Sequence, residues 1–125
     1  MKFRAARHTA QLQPLITFYT EIIGLKVLGS FQNHDNYDGV FLGPENANWH
    51  LEFTSSGDAP AHQPDEDDLW VFYVDDIVTQ REIAKRCAMH KIPIVPAKNP
   101  YWNKGAITIV DPDGYHVLVA ITDGL

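Results

Sequence analysis

The sequence predicts an α+β fold of two similar modules, each ordered strand, helix and three further strands. One observation is the strict alternation of residues 49–54, whose odd positions are apolar and whose even positions are His50, Glu52 and Thr54. This period of two is typical of a half-buried strand. A second observation is that residues 115–119 repeat the pattern about half a chain length later, which indicates a duplicated unit. The order of the remaining elements gives the third.

The first module is predicted over residues 1–54. It opens with a short strand at residues 2–7. Apolar residues recur at helical spacing between Leu12 and Ile23, and Gly24 supplies a C-terminal stop. Three more strands are predicted at residues 25–31, 39–42 and 49–54. A polar turn region at 32–38 separates the first two, and a turn at 43–46 separates the last two.

Residues 55–68 are predicted to form a linker that ends in four acidic residues, which are read as a solvated surface. The pattern restarts in a second module, residues 69–125. Its helix is expected to begin after Asp75 or Asp76 and to reach about His90. Its strands are predicted at residues 69–74, 92–95, 107–110 and 115–122. A tight turn at 111–114 precedes the last of them. In each module the helix is expected to cover one face of the sheet.

Composition excludes several classes of partner. A chain of 125 residues is long enough for one domain with a real core. The net charge of −6, without a basic cluster, argues against nucleic acid and anionic membranes. No apolar run approaches the roughly 20 residues of a membrane span, and the N-terminus lacks a signal-peptide core. The single cysteine, Cys87, is interpreted as a packing residue and favours a reducing, cytoplasmic location.

Four segments carry a resemblance to a known superfamily. They are residues 18–25 (Phe-Tyr-Thr-Glu-Ile-Ile-Gly-Leu), 50–53 (His-Leu-Glu-Phe), 74–76 (Val-Asp-Asp) and 110–115 (Val-Asp-Pro-Asp-Gly-Tyr). With this spacing the chain resembles the glyoxalase, bleomycin-resistance and extradiol-dioxygenase superfamily, also called the vicinal oxygen chelate fold. The resemblance implies two βαβββ modules, each a curved mixed sheet with a helix on one face, that together form a cleft. It also implies a homodimer.

The resemblance further implies a divalent metal held by the first and last strands of the modules. The corresponding positions here are Arg4, Glu52, Leu69 and Leu118. Only Glu52 can ligate, because arginine is a permanent cation and leucine has no donor atom. We therefore expect the usual metal site to be absent and no cofactor to be needed. A displaced site of Glu52, His50 and His116 is the alternative, although a strand repeat of about 6.6 Å separates the first two widely.

A replacement for the metal is also predicted. The guanidinium of Arg4 would stand at the metal position and pair with Glu52, since an unpaired buried carboxylate is costly. The alternative is that Arg4 simply extends into solvent.

Strand parity assigns the predicted cleft lining. It places Arg4, His50, Glu52 and Thr54 on a polar wall, and Leu69, Val71, Tyr73, His116 and Leu118 on a more apolar one. Such a lining suits a small organic molecule with an apolar body and a polar head. Tyr101 and Trp102, in a loop beside Pro100, are further candidates for ligand contact; packing of Trp102 on the core or on a dimer partner is equally compatible.

Two functions remain open from the sequence. The first is metal-independent binding of a small molecule, including sequestration of a toxic compound. The second is an enzyme, namely a lyase, isomerase or dioxygenase of the same superfamily that uses His50 and Glu52 as acid and base, with or without a metal. No Gly-x-Ser-x-Gly nucleophile turn and no Gly-rich phosphate loop occur in the chain.

Overall fold

A computed structural model describes residues 1–122 of the chain. The fold consists of two compact units, residues 1–62 and the segment from residue 63 onward. The predicted α+β class is confirmed, with one mixed sheet in each unit. The division falls inside the segment 55–68, whose exact role as a linker stays a prediction.

The first unit is a four-stranded sheet in the order β1-β4-β3-β2. Its strands are β1 (Phe3–His8), β2 (Lys26–His34), β3 (Tyr37–Gly43) and β4 (Trp49–Ser55). Strands β1 and β4 run parallel, whereas β3 is antiparallel to both of its neighbours. The strand predicted from the alternation at residues 49–54 is therefore β4, and it lies in the interior of its sheet.

One helical segment covers a single face of this sheet. It comprises α1 (Leu12–Thr17) and a π-helical turn (Phe18–Ile22), and it ends before Gly24, whose φ of 95° favours glycine. The odd-numbered side of β4 packs beneath it: the rings of Phe53 and Tyr19 stack with centroids 5.1 Å apart, and both residues are fully buried. This packing leaves the even-numbered side of β4 on the opposite face.

The hairpin between β2 and β3 is longer than predicted. Strand β2 continues to His34, and only Asp35 and Asn36 form the turn, with φ values of 52° and 70°. Two residues with positive φ are typical of a hairpin turn that matches the twist of its strands. The polar residues at 32–34, predicted as turn, are accommodated because β2 is an exposed edge strand.

The second unit is a three-stranded sheet in the order β5-β7-β6. Its strands are β5 (Leu69–Val74), β6 (Ile107–Val110) and β7 (His116–Ile121). The strand predicted at residues 92–95 is wrong, because only a single bridge joins Val95 to Thr108. Pro93 and Pro96 flank this bridge and have no N–H to donate, so the ladder cannot extend in either direction.

The helix of the second unit is α2 (Ile77–Met89). Asp76, not Asp75, is its N-cap: Oδ1 accepts hydrogen bonds from the Thr79 N–H at 2.8 Å and the Thr79 hydroxyl at 2.9 Å. Cys87 is fully buried on this helix, and burial raises the pKa of its thiol, which agrees with a packing role. No helix within residues 1–122 is both long and apolar enough to cross a bilayer.

The tight turn at residues 111–114 has the structural role predicted for it. Oδ1 of Asp111 accepts hydrogen bonds from the backbone N–H groups of Asp113 at 2.9 Å and Tyr115 at 3.1 Å. Gly114 has a φ of 93°. These contacts reverse the chain between β6 and β7.

The sequence echo extends to the register of the strands. Arg4 lies opposite His50 in the parallel pair of the first unit, and Leu69 lies opposite His116 in the second. On the antiparallel side, Phe41 lies opposite Glu52 and Thr108 lies opposite Leu118. Leu118 is therefore the counterpart of Glu52, as the echo predicted.

Two buried threonines provide a matched test of hydrogen-bond satisfaction. Thr9 and Thr108 are each 1% exposed, but the Thr9 hydroxyl accepts from the Gln11 N–H at 2.9 Å whereas the Thr108 hydroxyl has no partner among residues 1–122. We expect Thr9→Val to lower the free energy of unfolding by about 1–2 kcal/mol, and Thr108→Val to leave it unchanged or raise it by up to about 1 kcal/mol. Urea denaturation measures both, and equal losses would contradict the assignment.

Candidate functional site

Four side chains meet on the face of the first sheet that α1 does not cover. Strand β4 contributes His50 and Glu52, which alternate with the buried Leu51 and Phe53. Arg4 of β1 and Phe41 of β3 are their cross-strand partners, and partners in register project from the same face. Strand register therefore brings these four residues together. We call them the Arg4 cluster: Arg4, Phe41, His50 and Glu52.

The hydrogen bond between Arg4 and His50 defines the state of the imidazole. Arg4 Nε donates to His50 Nε2 at 2.9 Å. Because a guanidinium cannot accept a hydrogen bond, Nε2 must supply a lone pair, and the single ring proton of the neutral imidazole lies on Nδ1. His50 is only 9% exposed, and this burial lowers its pKa, with Arg4 and Lys2 lowering it further and Glu52 opposing them.

The predicted pairing of Arg4 with Glu52 is confirmed. Nη1 of Arg4 lies 3.7 Å from Oε1 of Glu52. The distance is that of an ion pair and exceeds that of a hydrogen bond. The side chain of Arg4 is 50% exposed and that of Glu52 is 15% exposed, so solvent screens the attraction. The pair therefore fixes the positions of two charges more than it stabilises the fold.

Aromatic contacts complete the cluster. Cζ of Arg4 lies 4.9 Å from the centre of the Phe41 ring, a cation–π geometry. The Phe41 ring in turn meets the His50 imidazole edge-to-face, with centroids 5.8 Å apart. Arg4 thus has three partners within its own sheet, which excludes the alternative that it merely extends into solvent.

An apolar shelf adjoins the cluster on strands β2 and β3. The Phe31 ring lies across Gly39, where a Cβ would overlap its ring atoms, and its centroid lies 5.7 Å from that of Phe41. Both phenylalanines are half-buried. We name Phe31, Gly39 and Phe41 the Phe31 shelf. Sequence reasoning missed both phenylalanines because it did not establish which residues of β3 stand beside His50 and Glu52; the spacing Gly39-x-Phe41 was the available signal.

The donor set of the cluster does not fit the metal site implied by the superfamily. The lone pair of His50 Nε2 is used by the Arg4 N–H, and a permanent cation stands beside Glu52. Leu69 and Leu118, at the other implied positions, carry no donor atom. Within residues 1–122 no three His, Cys, Asp or Glu side chains are grouped so that they could hold an ion.

The other predicted site residues lie in the second unit. His116 is 9% exposed, and its Nδ1 is buried without a hydrogen-bond partner among the described residues. Tyr73 is 41% exposed on β5. Tyr101 and Trp102 stand edge-to-face at 5.0 Å in a 3₁₀ turn (Pro100–Lys104), with Tyr101 65% exposed. The structure thus brings together Arg4, His50 and Glu52, while a ligand role for all seven residues stays a prediction.

Comparisons with known proteins match the chain to one family. Residues 3–54 match the YycE-like N-terminal domain and residues 67–120 match the YycE-like C-terminal domain. Uncharacterized protein YycE of Bacillus subtilis (strain 168) is 40% identical over 125 residues, which cover 99% of this chain and 90% of that protein. A crystal structure of a YycE protein of unknown function from Bacillus subtilis superimposes with a TM-score of 0.91 at 40% identity, covering 99% and 91% of the two chains.

More distant structures share the fold. Trypanothione-dependent glyoxalase I of Leishmania major is 28% identical with a TM-score of 0.72, covering 94% of this chain and 84% of its own. A glyoxalase/bleomycin resistance/dioxygenase domain from Frankia is 16% identical with a TM-score of 0.69, covering 97% and 93%. The second similarity concerns the fold alone. The first agrees with the superfamily that the four sequence segments indicated.

The protonation of His50 is directly measurable. We expect the pKa of His50 to lie below its ordinary value of 6.5, because burial and the charges of Arg4 and Lys2 disfavour the imidazolium. As pH falls below 6.5 the unfolded chain takes up this proton first, so the His50 contribution to stability decreases towards acid pH. A pH titration of the His50 ring resonances by NMR measures the midpoint of its protonation. Arg4→Met should move it upward, and a wild-type midpoint at or above 6.5 would contradict the assignment.

The Phe31 shelf depends on the absence of a side chain at Gly39. Gly39→Ala should displace the Phe31 ring and remove its contact with Phe41, because the new Cβ overlaps the ring. The free energy of unfolding should change little, since a ring at the end of a side chain can rotate away. Nuclear Overhauser contacts between the two rings provide the measurement. Gly57→Ala, where no atom lies within 4 Å of the new Cβ, is the control; persistence of the contacts in Gly39→Ala would count against the shelf.

Proposed function

The chain belongs to the YycE-like family of the glyoxalase, bleomycin-resistance and dioxygenase superfamily, and we propose that it binds a small organic molecule on the open face of its first sheet without the usual metal. One observation carries the proposal. The guanidinium of Arg4, a residue at one of the four positions where the resemblance implies metal ligands, contacts His50 and Glu52. A positive charge is therefore supplied by the chain itself.

The surroundings of Arg4 support a binding role over a purely structural one. Its side chain is half exposed, so its contacts add little stability, yet it is held by His50, Glu52 and Phe41 together. Polar groups held in place beside an apolar surface are the usual composition of a small-molecule site. The Arg4 cluster offers the polar part and the Phe31 shelf the apolar part. The proposed ligand has a polar head and an apolar body.

Several wider features belong to the same proposal. The protein acts in the cytoplasm as a homodimer, as the single cysteine and the superfamily resemblance suggest. A ligand role for Tyr73, Tyr101, Trp102 and His116 is part of the same proposal. Sequestration of a harmful compound would need nothing beyond such binding.

An enzyme is the second candidate. Glu52 is 15% exposed beside a neutral imidazole, and a carboxylate with solvent access can act as a general base. The glyoxalase I of Leishmania major, at 28% identity, favours lyase or isomerase chemistry for this fold. The candidate ranks second because Nε2 of His50, the nitrogen that would take a proton or bind a metal, is occupied by the Arg4 N–H.

A ligand screen tests the proposed function. A library of small organic compounds is screened by ¹H–¹⁵N NMR with EDTA present in every sample. We expect hits that shift backbone amides of β1, β3 and β4, and we expect Arg4→Met to weaken them about tenfold or more, the effect of one charged hydrogen bond. Arg81→Met, which removes an exposed arginine of α2, is the matched control and should change nothing.

The metal alternatives have their own test. The purified protein is titrated with zinc, nickel, manganese and ferrous ions and analysed by mass spectrometry. We expect no stoichiometric ion that depends on Glu52. An ion that binds the wild-type protein and is lost from Glu52→Gln would contradict the metal-independent proposal and favour the enzyme.

A further inference from the structure

We infer that the head group of the ligand is a carboxylate, bound by the guanidinium of Arg4. The inference rests on the proposed function and names the chemical class of its ligand. It is argued from the direction of one hydrogen bond, from the local charge and from the adjoining shelf.

The direction of the Arg4–His50 hydrogen bond makes the imidazole a donor. Nε2 accepts from Arg4 Nε, so the ring proton stands on Nδ1. Nδ1 makes no hydrogen bond to another of the described residues. This N–H points away from Arg4, because the two ring nitrogens face in different directions, and water can serve as its acceptor. Arg4 thus acts as a positioning residue for His50 as well as a ligand contact.

Arg4 itself keeps hydrogen-bonding capacity. Its Nε is used by His50, but the 3.7 Å separation between Nη1 and Glu52 is too long to consume an N–H group. Half of the side chain is exposed. The remaining N–H groups of a guanidinium form a planar fork that matches the two oxygens of a carboxylate.

The charge around His50 is positive within an acidic chain. Lys2 and Arg4 both lie near enough to disfavour the imidazolium, and Glu52 is the opposing charge. With His50 neutral, two cations face one anion, whereas the whole chain carries −6. A carboxylate would neutralise this local excess. A cationic head would have to compete with Arg4 for Glu52 while lying beside Lys2.

Three probes of similar size separate the possible head groups. Benzoate, benzamide and benzylamine share a ring that fits the Phe31 shelf, and they carry a negative, a neutral and a positive head. Their affinities are measured by ¹H–¹⁵N NMR titration at millimolar concentrations. We expect benzoate to bind about tenfold tighter than benzamide, as one charge-assisted hydrogen bond allows, and benzylamine to bind weakest.

Variants connect the preference to Arg4. Arg4→Met should abolish the benzoate preference, and Arg4→Lys, which keeps the charge but loses the planar fork, should retain only part of it. Arg81→Met is again the control. Long-range ¹H–¹⁵N spectra of the His50 ring should show the proton on Nδ1 in the wild type, and a proton on Nε2 would overturn the donor assignment.

The outcomes separate this inference from the proposed function. Tighter binding of benzylamine would identify Glu52 as the recognition group; it would overturn the carboxylate inference but leave metal-independent binding intact. Equal binding of all three probes would likewise overturn the head-group assignment. If none of the three shifts β1, β3 or β4, both the inference and the proposed site fail.

Discussion

The parallel pairing of β1 with β4 is the constraint on which the first unit depends. Two parallel strands cannot be joined by a tight turn, so the chain must leave β1, cross one face of the sheet and return. The segment α1 and the π-helical turn make that crossing, and the β2–β3 hairpin fills the other side of β4. Since β5 and β7 pair in the same way, the second unit repeats the arrangement with three strands instead of four.

This pairing also explains the location of the candidate site. The first and last strands of the unit lie side by side, so residues 46 positions apart in the sequence, Arg4 and His50, come into hydrogen-bonding contact. The helical segment occupies one face, and the alternation of β4 leaves His50 and Glu52 on the other. The second sheet has the same register but different side chains: where the first has Arg4 and Glu52, it has Leu69 and Leu118. Two copies of one backbone plan thus carry a polar and an apolar face.

The sequence predicted what depends on local periodicity and little of what depends on register. Strand β5 and strand β6 were predicted with their observed limits, because runs such as Leu69–Val74 are bounded by strong turn residues. The missing strand at 92–95 shows the opposite case, in which apolar residues suggested a strand but two prolines removed its donors. The contact between Arg4 and Glu52 came from the superfamily resemblance. The aromatic residues Phe31 and Phe41 were missed, because an alternating pattern does not state which residue of the next strand stands alongside.

The guanidinium of Arg4 gives the site a cation that is part of the covalent chain. Such a charge is present as soon as the strands pair, and it does not depend on the supply of an ion. Unlike a divalent metal ion, the guanidinium carries one charge instead of two and has no empty orbital that could accept a lone pair from a substrate oxygen. The contribution of Arg4 is therefore limited to charge and hydrogen bonding, and its contacts with His50 and Glu52 are in place once the first sheet has formed.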